Sequence, residues 1–182
     1  INDFELLQEN PNDQTSIKIT SPNAIIDPSN NDIQIFDSLI EILNNDGQDF
    51  QIKSGNSNLN NLSNFIKVFN NVKISFLDKD DYYITTNSLN WYLNTSIIDI
   101  TNPILINFDG TMIKGSNGIY DIDSSLLNIY NINLNRNIFN SDGKQEYQLE
   151  IKSDFAKWFK NENTFVFSSN KKQVESTIRF NY

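Results

Sequence analysis

The stretch Tyr82–Phe108, YYITTNSLNWYLNTSIIDITNPILINF, decides the fold. It opens on Ile84, reaches a polar turn at Asn94-Thr95-Ser96 and resumes with the apolar run Ile97–Ile100. After a small break it ends on Ile104, Ile106 and Phe108, which alternate with Leu105 and Asn107. Alternation with period two places successive side chains on opposite faces of a strand. An amphipathic helix needs apolar matches three and four residues apart, and few are present. The stretch therefore reads as strand, turn, strand.

The same grammar recurs on both sides. Four more segments share it: Ser16–Ile42, Asp49–Phe76, Thr111–Asn137 and Leu149–Phe180. Each opens on an isoleucine (Ile19, Ile52, Ile84, Ile113, Ile151), at steps of 33, 32, 29 and 38 residues. The polar turns fall at Asp27-Pro28-Ser29-Asn30, Asn60-Asn61-Leu62-Ser63, Asp123-Ser124-Ser125 and Asn161-Glu162-Asn163. Alternating runs close the repeats: Val72, Ile74 and Phe76; Ile132 and Leu134; Val174, Ser176, Ile178 and Phe180. Between repeats lie Asp46-Gly47, Asp78-Lys79-Asp80, Asp109-Gly110 and Asp142-Gly143. Asp-Gly steps form turns because glycine takes positive φ at little steric cost.

Each repeat should supply about three short strands, with one apolar face that only its neighbours can cover. The predicted fold is all-β, a twisted antiparallel β-jellyroll or open sandwich of about five strand-turn-strand repeats. No linker interrupts the array, so residues 1–182 are read as one domain, with 1–15 as a lead-in and 16–180 as the repeats. Only Phe4–Leu7 and Asp154–Lys160 are compatible with helix, and the second occupies a repeat slot and is read as strand.

Composition narrows the chemistry. The chain has no histidine, so Ser-His-Asp, Cys-His and histidine-metal sites are impossible within it. It has no cysteine, which excludes a disulfide framework and thiolate metal sites. Its formal charge of −9 argues against nucleic acid, whose binding needs basic surface. Asparagine and isoleucine dominate, at 31 and 26 copies, which A/T-rich codons would explain. No run approaches the ~18 apolar residues of a membrane helix. Asp121-Ile122-Asp123 and Asp78-Lys79-Asp80-Asp81 bring carboxylates together at turns, where aspartate caps backbone amides. That reading is preferred to an acid pair for hydrolysis. Gly115-Ser116-Asn117-Gly118 lacks the phosphate-binding glycine pattern and reads as backbone that turns or approaches a neighbour closely. No metal site, cofactor or catalytic residue is expected, and the chain is read as non-enzymatic.

The order and spacing of several segments resemble the LptC family of lipopolysaccharide-export proteins. The segments are ITSPNA followed by SLIEILNNDG, then FIKVFNNVKISF, then Tyr82–Phe108, then MIKGSNGIYDIDSSLLNIYNINL. Thr86, Leu89, Thr101, Pro103, Ile104, Ile106, Gly115, Gly118, Tyr120 and Asp121 fall on the family's pattern, and the likeness covers roughly Ser16 to Asn137. The resemblance implies a periplasmic jellyroll anchored to the inner membrane by an N-terminal helix preceding these residues. Such a protein receives lipopolysaccharide from the inner-membrane ABC export complex and passes it to a soluble LptA-like bridge protein. On this reading Val72, Ile74, Phe76, Trp91, Ile104, Ile106, Phe108, Ile132 and Leu134 line an apolar groove for acyl chains. The last alternating run, Val174, Ser176, Ile178 and Phe180, is the edge that takes a partner strand, and at the other end Ser16–Thr20 is the candidate edge for facing the transporter. The alternative is an extracellular β-repeat adhesin or carbohydrate-binding module.

Overall fold

The computed structural model describes residues 1–10, 15–44, 47–76, 82–108, 110–170 and 173–180. Fourteen strands form one antiparallel sheet, with no helix among the described residues. They are β1 (Asn2–Asn10), β2 (Thr15–Asp27), β3 (Asp32–Asn44), β4 (Gly47–Asn60), β5 (Phe65–Phe76), β6 (Tyr83–Tyr92), β7 (Ile97–Ile100) and β8 (Ile104–Phe108). The rest are β9 (Thr111–Gly115), β10 (Asn117–Asp121), β11 (Leu126–Phe139), β12 (Gln145–Phe159), β13 (Thr164–Ser168) and β14 (Glu175–Phe180). The all-β jellyroll reading holds, and the five polar turns fall between strands as expected. Four of those turns end on a residue in the left-handed region: Asn31, Asn64, Ser125 and Asn163. Asparagine tolerates that conformation better than most residues, so part of the asparagine excess has a backbone cause.

Three strands per repeat are found in the last three repeats and two in the first two, and they are short throughout only in the third, since β11 and β12 run for 14 and 15 residues. In the first two the polar break does not end the strand. It bends it, and β2, β3, β4 and β5 run through for 12 to 14 residues. Each bend shifts the alternation. In β3 the buried residues are Ile33 and Ile35, then Ser38, Ile40 and Ile42. In β6 they are Ile84 and Thr86, then Leu89 and Trp91. An extra residue at a bulge re-aims the next side chain, so apolar groups stay on the inside as the strand turns.

The bends line up across the sheet and fold it into two leaves. A hydroxyl two residues after the repeat's opening isoleucine marks the line. Ser21, Ser54, Thr86 and Ser153 each donate to the carbonyl two residues on, at Asn23, Asn56, Ser88 and Phe155. The fourth repeat has Gly115 there instead, because a Cβ would lie 2.3 Å from the Ile129 side chain. Bonds between neighbouring segments continue the line: Ser38 to Ser54 and Ser57, Asn70 to Asn56, Asn102 to Ser88, and Asn131 to Ser116.

On the first leaf the opening isoleucines stand in register with the closing runs. The row is Leu6, Ile19, Ile40, Ile52, Ile74, Ile84, Ile106, Ile113, Leu134 and Ile151. From Ile19 to Ile113 every member is 0 % exposed. Burying such a side chain contributes about 1.5–3 kcal/mol, and branched neighbours directly opposite add to it. The second leaf has its own row, running Ile33, Leu59, Ile66, Trp91, Ile98, Tyr120, Leu127, Trp158 and Phe165. Trp91 and Trp158, which occupy equivalent places in their repeats, share this row.

Two further sequence readings change at the N-terminal end. Asn2–Asn10, read as a lead-in with a helix-compatible stretch, is a strand paired with β2. Consequently Ser16–Thr20 is not an edge, because Glu9 to Glu5 of β1 cover it. The turn residues Asp46, Asp109 and Asp78–Asp81, and the lysines Lys171 and Lys172 before the last strand, lie outside the described residues. Of the Asp-Gly turns, Gly110 and Gly143 have φ of 69° and 75°, as their role requires.

Candidate functional site: the interior between the leaves and the free strand edges

The sequence-predicted lining comes together inside one core. Val72, Ile74, Phe76, Ile104, Ile106, Ile132 and Leu134 are buried on the first leaf, and Trp91 is buried on the second. Phe108 is partly buried and packs against the same core. The alternating runs therefore point inward as read. They are packed against protein, and the space between the leaves is closed where they lie.

The closure is aromatic. Phe50, Phe76 and Phe108 stand near the turn ends of the first leaf. They meet Tyr120, Trp158 and Phe165 near the turn ends of the second. Ring centroids lie 5.6 Å apart for Phe50–Tyr120, 5.4 Å for Phe76–Trp158 and 5.2 Å for Phe108–Phe165, all near-perpendicular. Edge-to-face pairs of this kind are worth roughly 0.5–1.5 kcal/mol beyond their burial. Phe50, Tyr120 and Phe165 are additions to the predicted lining. Phe50 and Tyr120 lie outside clean alternating runs, and only the register of distant strands shows that they face one another. The indole N–H of Trp158 and the hydroxyl of Thr111 are buried here without a hydrogen-bond partner among the described residues.

The cover thins in the fifth repeat. Leu149 and Ile151 of β12 are only partly buried, and Ile178 of β14, in register with Leu149, is 53 % exposed. The predicted partner edge falls mostly on this last strand. Ser176, Ile178 and Phe180 belong to β14, which pairs with Tyr147–Lys152 of β12; Val174 precedes the strand and is exposed. Among the described residues no strand pairs with the other side of β14, nor with the other side of β1 at the opposite end. One carboxylate links the two strands: Glu150 meets Lys152 of its own strand at 3.0 Å and Arg179 of β14 at 3.4 Å. Its carboxyl is held below the ordinary value, first by the hydrogen bond from Lys152 and then by the charges of Lys152 and Arg179.

The carboxylates at Asp121 and Asp123 are engaged in turn bonds. Asp121 accepts from the Asp123 and Ser124 amides and from the Ser124 hydroxyl, and Asp123 accepts from Ser96. Among the described residues no group of three or more His, Cys, Asp or Glu comes together as a metal site. No helix of the described residues is long and apolar enough to cross a membrane. Gly118 allows close packing: a Cβ there would lie 2.7 Å from both the Asn128 carbonyl and Ile104.

A folded antiparallel sheet of strand-turn-strand repeats, with an apolar interior, defines the class as a jellyroll repeat protein. The chain belongs to the lipopolysaccharide-assembly, LptC-related family, whose profile matches residues 1–131. That membership gives it a role in lipopolysaccharide transport at the cell envelope. The match includes β1, consistent with its place in the sheet, and stops within β11 at the bend residue Asn131. No curated protein matches the chain.

Proposed function

We propose that the protein binds lipopolysaccharide acyl chains between its two leaves and relays the lipid from the inner-membrane ABC export complex to a soluble LptA-like bridge protein. The observation that carries this is the unbroken apolar row on the inner face of the first leaf. It passes from Ile19 to Ile113 fully buried and reaches the fifth repeat, where Leu149, Ile151 and Ile178 lose their cover. An acyl chain laid against that uncovered end sheds water at about 0.8 kcal/mol per methylene. Advancing it means parting the aromatic pairs, so packing of leaf on leaf is exchanged for packing of leaf on lipid. Relay needs that exchange to be nearly balanced, because a site that holds its cargo too tightly does not pass it on.

The whole chain acts as one domain in this reading, on the periplasmic side of the inner membrane, with an anchoring helix ahead of Ile1. The free edge of β14 receives a strand of the bridge protein. Main-chain hydrogen bonds supply affinity there, and alternate side chains such as Ser176 and Ile178 set the register. No bond chemistry is required, so the protein works by equilibrium binding alone.

The test is photo-crosslinking in cells from inward positions Ile74, Ile106 and Ile132, with outward Ser75 and Asn107 as controls. Adducts detected by blotting for lipopolysaccharide are expected at the inward positions only. Equal labelling at Asn107, or none at any inward position, overturns the reading.

A further inference from the structure

The outer face of the first leaf carries a charge pattern that the apolar interior does not explain. Register places Lys53 directly opposite Lys73, then Thr85, Leu105 and Lys114 along the same row. Like charges directly opposite each other on a sheet are destabilising. In a chain of 23 acidic and 14 basic residues, carboxylates are plentiful, yet Lys53, Lys73 and Lys114 form no ion pair among the described residues. All three are exposed, and Lys73 rests over the Tyr83 ring at 4.4 Å. The row borders a recess of about 470 Å³ at the bend line. Its lining brings Lys73, Lys114 and Thr85 together with Val72, Ile104 and Leu105, and Lys53 lies beyond it along the row. Val72 and Ile104 are also members of the proposed acyl lining, so the recess lies where interior and outer face come closest.

We infer that this row binds phosphate, and that the phosphate is carried on the head group of the lipopolysaccharide. Strands are about 4.8 Å apart, so Lys73 and Lys114 stand roughly 14 Å apart at the backbone. Flexible lysine side chains cover much of that span from both sides. A phosphate between Lys53 and Lys73 removes their repulsion, and charge-assisted hydrogen bonds to it are about twice as strong as neutral ones. The apolar side chains in the lining suit the base of an acyl chain rather than a free ion. The inference rests on the lipid reading above and assigns its head group a place outside the leaves.

The experiment measures binding of the full chain to three probes: lipopolysaccharide, the same lipid stripped of phosphate, and inorganic phosphate. Each is compared on the wild type and on a triple variant, Lys53→Gln, Lys73→Gln and Lys114→Gln. The wild type is expected to bind the phosphorylated lipid at least fivefold more tightly than the stripped one, and the variant to bind both alike. The variant's melting temperature should equal or exceed the wild type's, because a like-charge pair has been removed, so misfolding does not mimic the result. Equal affinity of the wild type for the two lipids, with no protection by inorganic phosphate, overturns the site while leaving acyl binding intact. If inorganic phosphate protects the wild type and not the variant while the two lipids still bind alike, the head group is overturned as the source. If the wild type binds neither lipid, the lipid reading fails and the assignment with it.

Discussion

The first four repeats and the fifth are built from the same grammar, yet their inner faces end differently. Ile52, Ile84 and Ile113 open repeats two to four and are completely buried, whereas Ile151 opens the fifth and is only partly so. Along its strand Ile151 is flanked by Glu150 and Lys152 much as Ile52 is by Gln51 and Lys53, although Ser176 stands beside it where the others have an isoleucine or leucine. The difference lies in what stands opposite. Over the middle of the sheet each first-leaf strand faces a second-leaf strand across the bend line. At the C-terminal end the second leaf stops with β13, five residues long, and β14 extends only the first leaf. Burial in this fold is thus a property of the opposing leaf more than of the residue, and the repeat left without cover is the one proposed above to meet the lipid.

The comparison is most easily broken by charge. Ile106→Asp, in the middle of the covered row, is expected to prevent folding, since an unpaired buried carboxylate costs several kcal/mol. Ile178→Asp should fold with a urea midpoint close to wild type. The milder Ile106→Ala should cost about 2–5 kcal/mol, and Ile178→Ala within about 0.5 kcal/mol. Equal losses at the two sites would mean that the fifth repeat is covered after all.

Glycines sharpen the same contrast at smaller amplitude. Gly118→Ala drives a Cβ against the Asn128 carbonyl between packed strands and should cost about 1–3 kcal/mol. Gly143→Ala meets nothing within 4 Å and suffers only its positive φ, a cost of about 1 kcal/mol. Thermal melts of the two variants give the order directly.

Acid should act first on the fifth repeat, with the smallest effect. The carboxyl of Glu150 is lowered in the folded protein, so its contribution is present above the ordinary carboxylate value and lost as pH falls through the lowered one. Protection factors of β14 amides, taken against the intrinsic exchange rate at each pH, should fall over that range while those of β4 and β5 stay high. Arg179→Gln should bring the loss of protection to higher pH, because Glu150 then titrates closer to its ordinary value.

Much of this is legible in the sequence. Opening isoleucines, polar turns and alternating runs follow from local geometry, and all describe the strands as they stand. Other features depend on register between distant segments, which local patterns do not encode. The shift of parity at Ser38 or Thr86 reads in the sequence as a break, because the buried residues change from odd to even numbers or the reverse. β1 escapes a sequence reading because Phe4–Leu7 shows no alternation long enough to count and belongs to no repeat. Ser16–Thr20 then falls at the edge for the same reason. Of the site, the inward runs are legible as a set of apolar faces. The aromatic contacts across the leaves and the lysine row are not, since Lys53, Lys73 and Lys114 are neighbours only through strand pairing.

The continuity of the sheet also fixes a distance and an angle. Eleven strands follow one another along the main path from β1 to β13. At about 4.8 Å per step the path measures roughly 50 Å end to end. Neighbouring strands rotate by about 20–25°, so over ten steps the last strand is turned by more than half a revolution from the first. A molecule docked on the edge at β1 and another docked at the far end therefore do not stand side by side. They sit at opposite ends of a twisted rod, and each added repeat of two strands lengthens it by about 10 Å while turning its tip by a further 40–50°. Repeat number sets both how far the protein reaches and which way its end faces.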